Sequence, residues 1–153
     1  MSARSNYKRS RKAALAPYRS QYEADIAKDL EARGILFEFE PRKVKYFYPI
    51  KGGICSTCNS AHVARAATYL PDFWLPEQGL WLEAKGLWTG PGRTKTMAVL
   101  ETSGVIRADN FRIIFQRNQF LTKAKKKSYT QWCAAQGIVC VVGTQIPVEW
   151  ERT

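Results

Sequence analysis

Histidine is almost missing from this chain of 153 residues: His62 is the single one, set among small and polar neighbours. Nothing here suggests nucleophilic covalent catalysis of the kind a histidine base supports. Acids are also in deficit. Thirteen face 24 lysines and arginines, giving a formal charge of +11 and an isoelectric point near 9.7. No apolar run is long enough to span a bilayer and no signal-like apolar core occurs, so no membrane partner is expected. The four cysteines carry no sign of secretion. Reduced thiols in a cytoplasmic setting are the default. No internal repeat or low-complexity segment appears. With 45% hydrophobic and 24% charged residues, the chain suits one globular domain with one respectable core.

What is plentiful is positive charge, and it is unevenly placed. Residues 1–17 carry Arg4, Lys8, Arg9, Arg11 and Lys12, with Arg19 just beyond, and no acid. This reads as a flexible basic arm preceding a single domain over 18–153. Lys123, Lys125, Lys126 and Lys127 form a second cluster. A lysine run also suits a merely solvated surface, but arm and cluster together favour phosphate contact, and so a nucleic-acid partner. Arg93 and Lys95 join the expected DNA-binding set.

The pattern of elements is mixed α/β, strands central and helices outside. "YRSQYEADIAKDLEARG" predicts a helix, with Ser20 as N-cap, Glu23 completing a capping box and Gly34 as the stop. "ILFEFE" alternates and predicts a strand over Ile35–Glu40. "KVKYFYPI" predicts another, ended near Pro49 and the Gly52-Gly53 pair. A loop or insertion follows, near 51–66. Strands are expected over Ala67–Leu75 and Leu80–Lys85, a helix over Arg93–Thr102, a strand in "NFRIIFQ", a helix in "SYTQWCAAQG" and a last strand in "IVCVVG".

"YLPDFWLPEQGLWLEAKGLW" places two acids and a lysine among residues that want burial. With "PEQG" as a hairpin loop, Leu75 faces Leu80, Trp74 faces Trp81, Phe73 faces Leu82, and Asp72 faces Glu83. Opposed carboxylates repel at that spacing, of about 4.5–5.5 Å between Cβ atoms. A hard divalent cation removes the conflict. Glu83 and Lys85 share a face, because strand side chains repeat every two residues. A one-residue slip would instead leave the acids at a solvated edge. On the first helix, Glu23 falls within the apolar stripe of Tyr22, Ile26, Ala27 and Leu30, whereas Asp25, Lys28 and Asp29 lie away from it. A core-facing carboxylate needs a cation, and Glu23 equally caps its own helix. Glu38 alternates away from Ile35, Phe37 and Phe39, with Glu40 on its face, which reads as solvated.

Pro71-Asp72 followed by Glu83-Ala84-Lys85 matches the PD-(D/E)xK nuclease signature. The wider chain resembles the bacteriophage endonuclease I family, small resolvases of four-way (Holliday) DNA junctions. The resemblance runs over about residues 18 to 150 and includes "YRSQYE", "ARGILFEFE", "YLPDFWLP", "LEAKGLW", "SYTQW" and "IPVEW". It implies a restriction-endonuclease-like core, a central mixed β-sheet flanked by helices, in an intertwined, strand-exchanged homodimer whose crossing strand matches Val44–Ile50. It implies Glu23, Glu38, Asp72, Glu83 and Lys85 as catalytic residues. Glu23, Asp72, Glu83 and the backbone carbonyl of Ala84 would hold Mg²⁺ or Mn²⁺. The reaction would be paired phosphodiester hydrolysis in branched double-stranded DNA, leaving a 5′-phosphate and a 3′-hydroxyl. A phage-encoded protein of this kind would act in the host cytoplasm. A sequence-specific or mismatch-directed nickase on the same core, and an inactive DNA-binding module, remain alternatives.

"GGICSTCNSAHVARAA" departs from the family pattern. Cys55, Cys58 and His62 have zinc-knuckle spacing, so a structural Zn²⁺ is one expectation. It would need a fourth ligand from Cys133, Cys140 or a partner subunit. Two ordinary thiols in an unliganded loop are the other.

Overall fold

The computed structural model describes residues 16–50, 57, 59 and 63–152. The cations expected to bind DNA at Arg4, Lys8, Arg9, Arg11 and Lys12, and the zinc-type residues Cys55, Cys58 and His62, lie outside the described residues.

Helix α1 spans Gln21–Ala32. The Ser20 hydroxyl accepts the Glu23 N–H at 3.2 Å, and the Glu23 carboxylate accepts the Ser20 N–H at 3.2 Å, so the capping box closes. The helix stops at Gly34, whose φ of +68° a β-carbon would penalise. Ile35 N–H reaches Leu30 O at 2.9 Å and Gly34 N–H reaches Glu31 O at 3.0 Å, the paired bonds of a Schellman ending.

The strands are β1 (Glu38–Phe39), β2 (Val44–Ile50), β3 (Val63–Tyr69), β4 (Phe73–Leu75), β5 (Leu80–Lys85), β6 (Phe111–Phe115) and β7 (Val139–Val142). Helix α2 (Gly90–Thr102) joins β5 to β6, and α3 (Tyr129–Ala135) joins β6 to β7. A five-stranded mixed sheet runs in the order β1-β4-β5-β6-β7. Its first three strands pair antiparallel, and β5-β6-β7 pair parallel across the helical crossovers. Strands β2 and β3 form a separate antiparallel hairpin. Among the described residues no helix is long and apolar enough to cross a membrane.

The hairpin register is the expected one: Phe73 with Leu82, Trp74 with Trp81, Leu75 with Leu80. Three strand boundaries differ, and the helix expected from Arg93 starts at Gly90. The strand expected over Ile35–Glu40 is ordered as β-ladder only at Glu38–Phe39. The strand expected over Ala67–Leu75 is two strands in two sheets, because Pro71 has no N–H for a ladder and the chain bends at Asp72. Pro49 does not end β2: it stays in the ladder opposite Ala64, and β3 takes Val63–Ala66 from the supposed insertion.

The sheet is buried on both faces. On one, α1 supplies Tyr22, Ile26, Ala27 and Leu30 against Phe73, Leu75, Leu80, Leu82 and Ile114, and Trp150 of the closing 3₁₀ turn Val148–Trp150 joins them. On the other, α2, α3 and the hairpin cover Trp81, Phe111, Ile113 and Phe115. Trp88 fills that side, with its ring edge-on to Tyr129 and Trp132.

Ile114 sits fully buried on β6 in the cluster that α1 closes. Replacing it with alanine removes packed methyl groups and leaves a cavity, so I114A should lose about 2–5 kcal/mol. Urea unfolding should show a lower midpoint with an unchanged slope; an unmoved midpoint would contradict this packing of α1.

Candidate active site

Because side chains alternate along a strand, β5 turns Leu80, Leu82 and Ala84 toward α1, and Trp81, Glu83 and Lys85 toward α2. Asp72 lies one step before Phe73, on the Trp74 side, and so comes level with Glu83. The two acids are 2% and 4% exposed, respectively. Together with Lys85 they line a polar cleft of about 330 Å³ at the carboxyl end of β5, shared with Arg19, Glu23, Tyr69, Lys95 and the backbone of Ala84 and Gly86. Ligand crevices in parallel sheets lie outside the carboxyl ends of strands for the same geometric reason.

Each oxygen of the central acids has a partner. Asp72 Oδ2 accepts the Ala84 N–H at 2.8 Å, and Oδ1 accepts from the Arg19 guanidinium. Glu83 Oε1 accepts from the Lys85 ammonium, and Oε2 from the Tyr69 hydroxyl. Lys95, from the first turns of α2, sits with its nitrogen 5.1 Å from the Tyr69 ring centre, a cation–π distance. Glu23 is 8% exposed, and its carboxylate accepts the Arg19 N–H at 2.7 Å as well as the cap bond from Ser20.

Burial, and then the charge of Glu83, push the Asp72 carboxyl up to about 7. The Ala84 N–H, Lys85 and Arg19 pull it down by less. Burial alone would depress Lys85, but Glu83 and Asp72 outweigh it and hold the ammonium above its ordinary value. Burial and Glu83 drive the Tyr69 phenol well above its ordinary range, so it stays a donor. A buried carboxyl pushed toward protonation beside a second acid marks a site short of positive charge.

Among the described residues no three acid, histidine or cysteine side chains converge as a ready-made ion cage. The acids are held instead by internal cations, and the Arg19 guanidinium occupies the place a cation favours. The donor set still suits a hard ion. Asp72 and Glu83 offer carboxylate oxygens, Ala84 follows Glu83 directly and lines the same cleft, and Glu23 stands at the cleft wall. Mg²⁺ commonly binds through one or two carboxylates and keeps several waters.

Of the residues expected from sequence, the structure brings together Glu23, Asp72, Glu83, Ala84 and Lys85. It does not bring Glu38, which lies exposed in register with Trp74 and does not line the cleft. Arg19 also departs from expectation: it points into the acids rather than standing with the DNA-binding cations of the arm. Lys95 lines the cleft. Arg93 donates to the Trp88 carbonyl at 2.8 Å, inside its own helix start, while Lys123, Lys125, Lys126 and Lys127 are exposed. Tyr69 and Glu40 were not foreseen. The acid pattern around Glu38 and Glu40 was visible in sequence; no local signal marks Tyr69, whose role depends on the bend that ends β3.

The family model for phage endonuclease I matches residues 1–153. Endonuclease I of Escherichia phage T7 is 34% identical over 137 residues, covering 89% of this chain and 79% of the relative. Endodeoxyribonuclease 1 of Enterobacteria phage T3 is 32% identical over 123 residues, covering 80% of this chain and 69% of the relative. Matched along its whole length by that model, this chain belongs to the phage endonuclease I family.

Proposed function

We propose that the protein is a metal-dependent DNA endonuclease that resolves branched DNA, such as four-way junctions, by paired phosphodiester cuts from the two sites of a homodimer. One observation carries the chemistry: Asp72 and Glu83 are buried side by side with Lys85 in a polar cleft of an otherwise strongly basic chain. The family membership supports DNA as substrate, and the exposed cations near Lys125 offer phosphate contacts that orient without reading sequence.

Asp72, Glu83 and the Ala84 carbonyl would hold Mg²⁺ or Mn²⁺, with Glu23 beside them. The ion, when bound, supplies charge to phosphate oxygens and acidifies water. The protein does the rest by fixed geometry. The Ala84 N–H locks the Asp72 carboxylate in one orientation. Tyr69 and Lys85 hold the two oxygens of Glu83. The Lys85 ammonium, kept charged by those acids, orients the attacking water and offsets charge that grows on the phosphate. The crowded Trp74–Trp81 pair, with rings 4.4 Å apart, stiffens the strands that carry both acids.

The test is cleavage of an immobile four-way junction beside an equal-length duplex, with Mg²⁺ and with chelator. Junction-selective cutting that requires the ion is the expected result. Equal rates on both substrates would remove the branch reading, and full activity in chelator would remove the metal reading.

D72N, E83Q and K85A should each lower the cutting rate by on the order of 10²–10³-fold or more. Junction binding by these variants should stay close to wild type, since phosphate contacts elsewhere supply affinity. Gel-shift and single-turnover assays on the same preparations check both halves. An E83Q protein cutting at the wild-type rate would overturn the assignment.

The acid site also leaves a mark on stability. A carboxyl raised to about 7 in the folded protein binds more protons folded than unfolded, so stability falls as pH rises from its ordinary value toward 7. In chelator at pH 8, D72N should therefore melt above wild type by several degrees, with the gap closing toward pH 5. Thermal melts across that range read it directly; a lower melting point for D72N at pH 8 would refute the argument.

A further inference from the structure

Arg19 precedes the cap of α1 and is placed as no surface cation needs to be. Its Nε lies 3.0 Å from Glu40 Oε1, and its terminal nitrogen contacts Asp72 Oδ1 and lies 3.5 Å from Glu23 Oε1. These acids come from three elements: the first turn of α1, the bend after β1, and the residue before β4. They are joined in other ways too. Glu40 N–H donates to the Asp72 carbonyl at 2.8 Å, and Glu23 accepts the backbone N–H of Arg19 itself. Glu40 adopts φ +47°, a left-handed conformation rare for a residue with a side chain. That conformation turns the chain at the point where Glu40 meets Arg19. Burial disfavours the Arg19 charge, but Asp72, Glu23, Glu40 and Glu83 more than restore it.

We propose that Arg19 is a positioning residue of the active site: its guanidinium holds Glu23, Glu40 and Asp72 assembled while the site has no ion, and a divalent cation must displace it. This rests on the metal-dependent reading given above. The planar fork suits the task, since it presents separate donors to separate carboxylates, which a single ammonium does less well. Displacement is open to it because the side chain is 56% exposed and can swing outward into water, whereas the Asp72 side chain is 4% exposed and cannot follow. The same carboxylate oxygen of Asp72 cannot fully serve a guanidinium and a metal at once. Arg19 and the ion are therefore competitors for one site, and the energy of one binding is subtracted from the other.

The competition separates this role from simple structural support. Removing a merely structural arginine loosens the acids and weakens ion binding, or leaves it unchanged. Removing a competitor loosens the ion-free protein and tightens ion binding. The experiment uses the full-length chain without DNA, and Mn²⁺ alone as probe. Free Mn²⁺ is counted by electron paramagnetic resonance, and melting is followed with and without the ion. R19Q should melt below wild type in chelator, bind Mn²⁺ at least threefold more tightly, and gain more melting temperature from the ion than wild type does. R19K, which keeps a charge without the fork, should lie between the two and serves if R19Q does not fold. Wild-type uptake with an unchanged or weaker affinity in both variants overturns the role of Arg19 alone. Mn²⁺ uptake by none of these proteins overturns the metal reading itself, and this inference with it.

Discussion

Two carboxylates buried face to face set the terms for everything around them. Asp72 and Glu83 are almost closed to solvent, and burial together with the Glu83 charge raises the cost of charging Asp72. Such a pair survives only if positive charge or protons are supplied locally. The protein supplies charge from three directions. Lys85 comes from the same strand as Glu83, Arg19 from the entry to α1, and Lys95 from the start of α2. Three separate parts of the fold thus bring a cation to the cleft, and none of the three is needed by the hydrophobic core.

The architecture explains why the pair can be held at all. The Trp and Leu rows on β4 and β5 fix the register, and a one-residue slip would turn every apolar side chain out of its layer. Pro71 then breaks the run between β3 and β4, so that Asp72 sits just before the start of β4 rather than in mid-strand. On the far side, β5 turns from antiparallel to parallel pairing, and its carboxyl end opens where α2 begins. Glu23 arrives because a capping box and a Schellman ending pin both ends of α1. The four buried apolar residues of α1 then seat the helix on the opposite face.

Much of this was legible in the residues. The alternation from Phe73 to Lys85 gave the hairpin register and the meeting of both acids, because a strand offers only two faces and one was plainly apolar. The Ser20–Glu23 spacing gave the start of α1, because a cap is a local event. What failed was not local. The length of β1 depends on how short β4 is, and no property of "ILFEFE" encodes that. The split between β3 and β4 assigns one apolar stretch to two sheets, a tertiary choice. Arg19 looked like one more cation of a basic arm; its place among the acids depends on Asp72 and Glu40, which are remote in sequence. Glu38 and Glu40 are chemically identical and two residues apart, and only the bend at Glu40 decides which one meets Arg19.

The charges of the cleft also bear on how a basic protein with an acid centre meets a polyanion. Glu23, Asp72 and Glu83 line it, as do Arg19, Lys85 and Lys95, so three formal negative charges stand against three positive. Ion-free, the cleft is close to neutral within a chain of charge +11, and it neither repels nor captures a phosphate strongly. On the proposed reading a divalent ion brings two positive charges and displaces the one of Arg19, so the cleft turns net positive. The cleft then becomes attractive to a phosphate only when it is also equipped to cut one. On the same reading the surface cations would meet DNA without that condition, so affinity would be constant while the attraction at the reacting centre is conditional. A constitutively positive cleft would hold phosphate whether or not the chemistry was ready, and binding energy spent that way raises no rate.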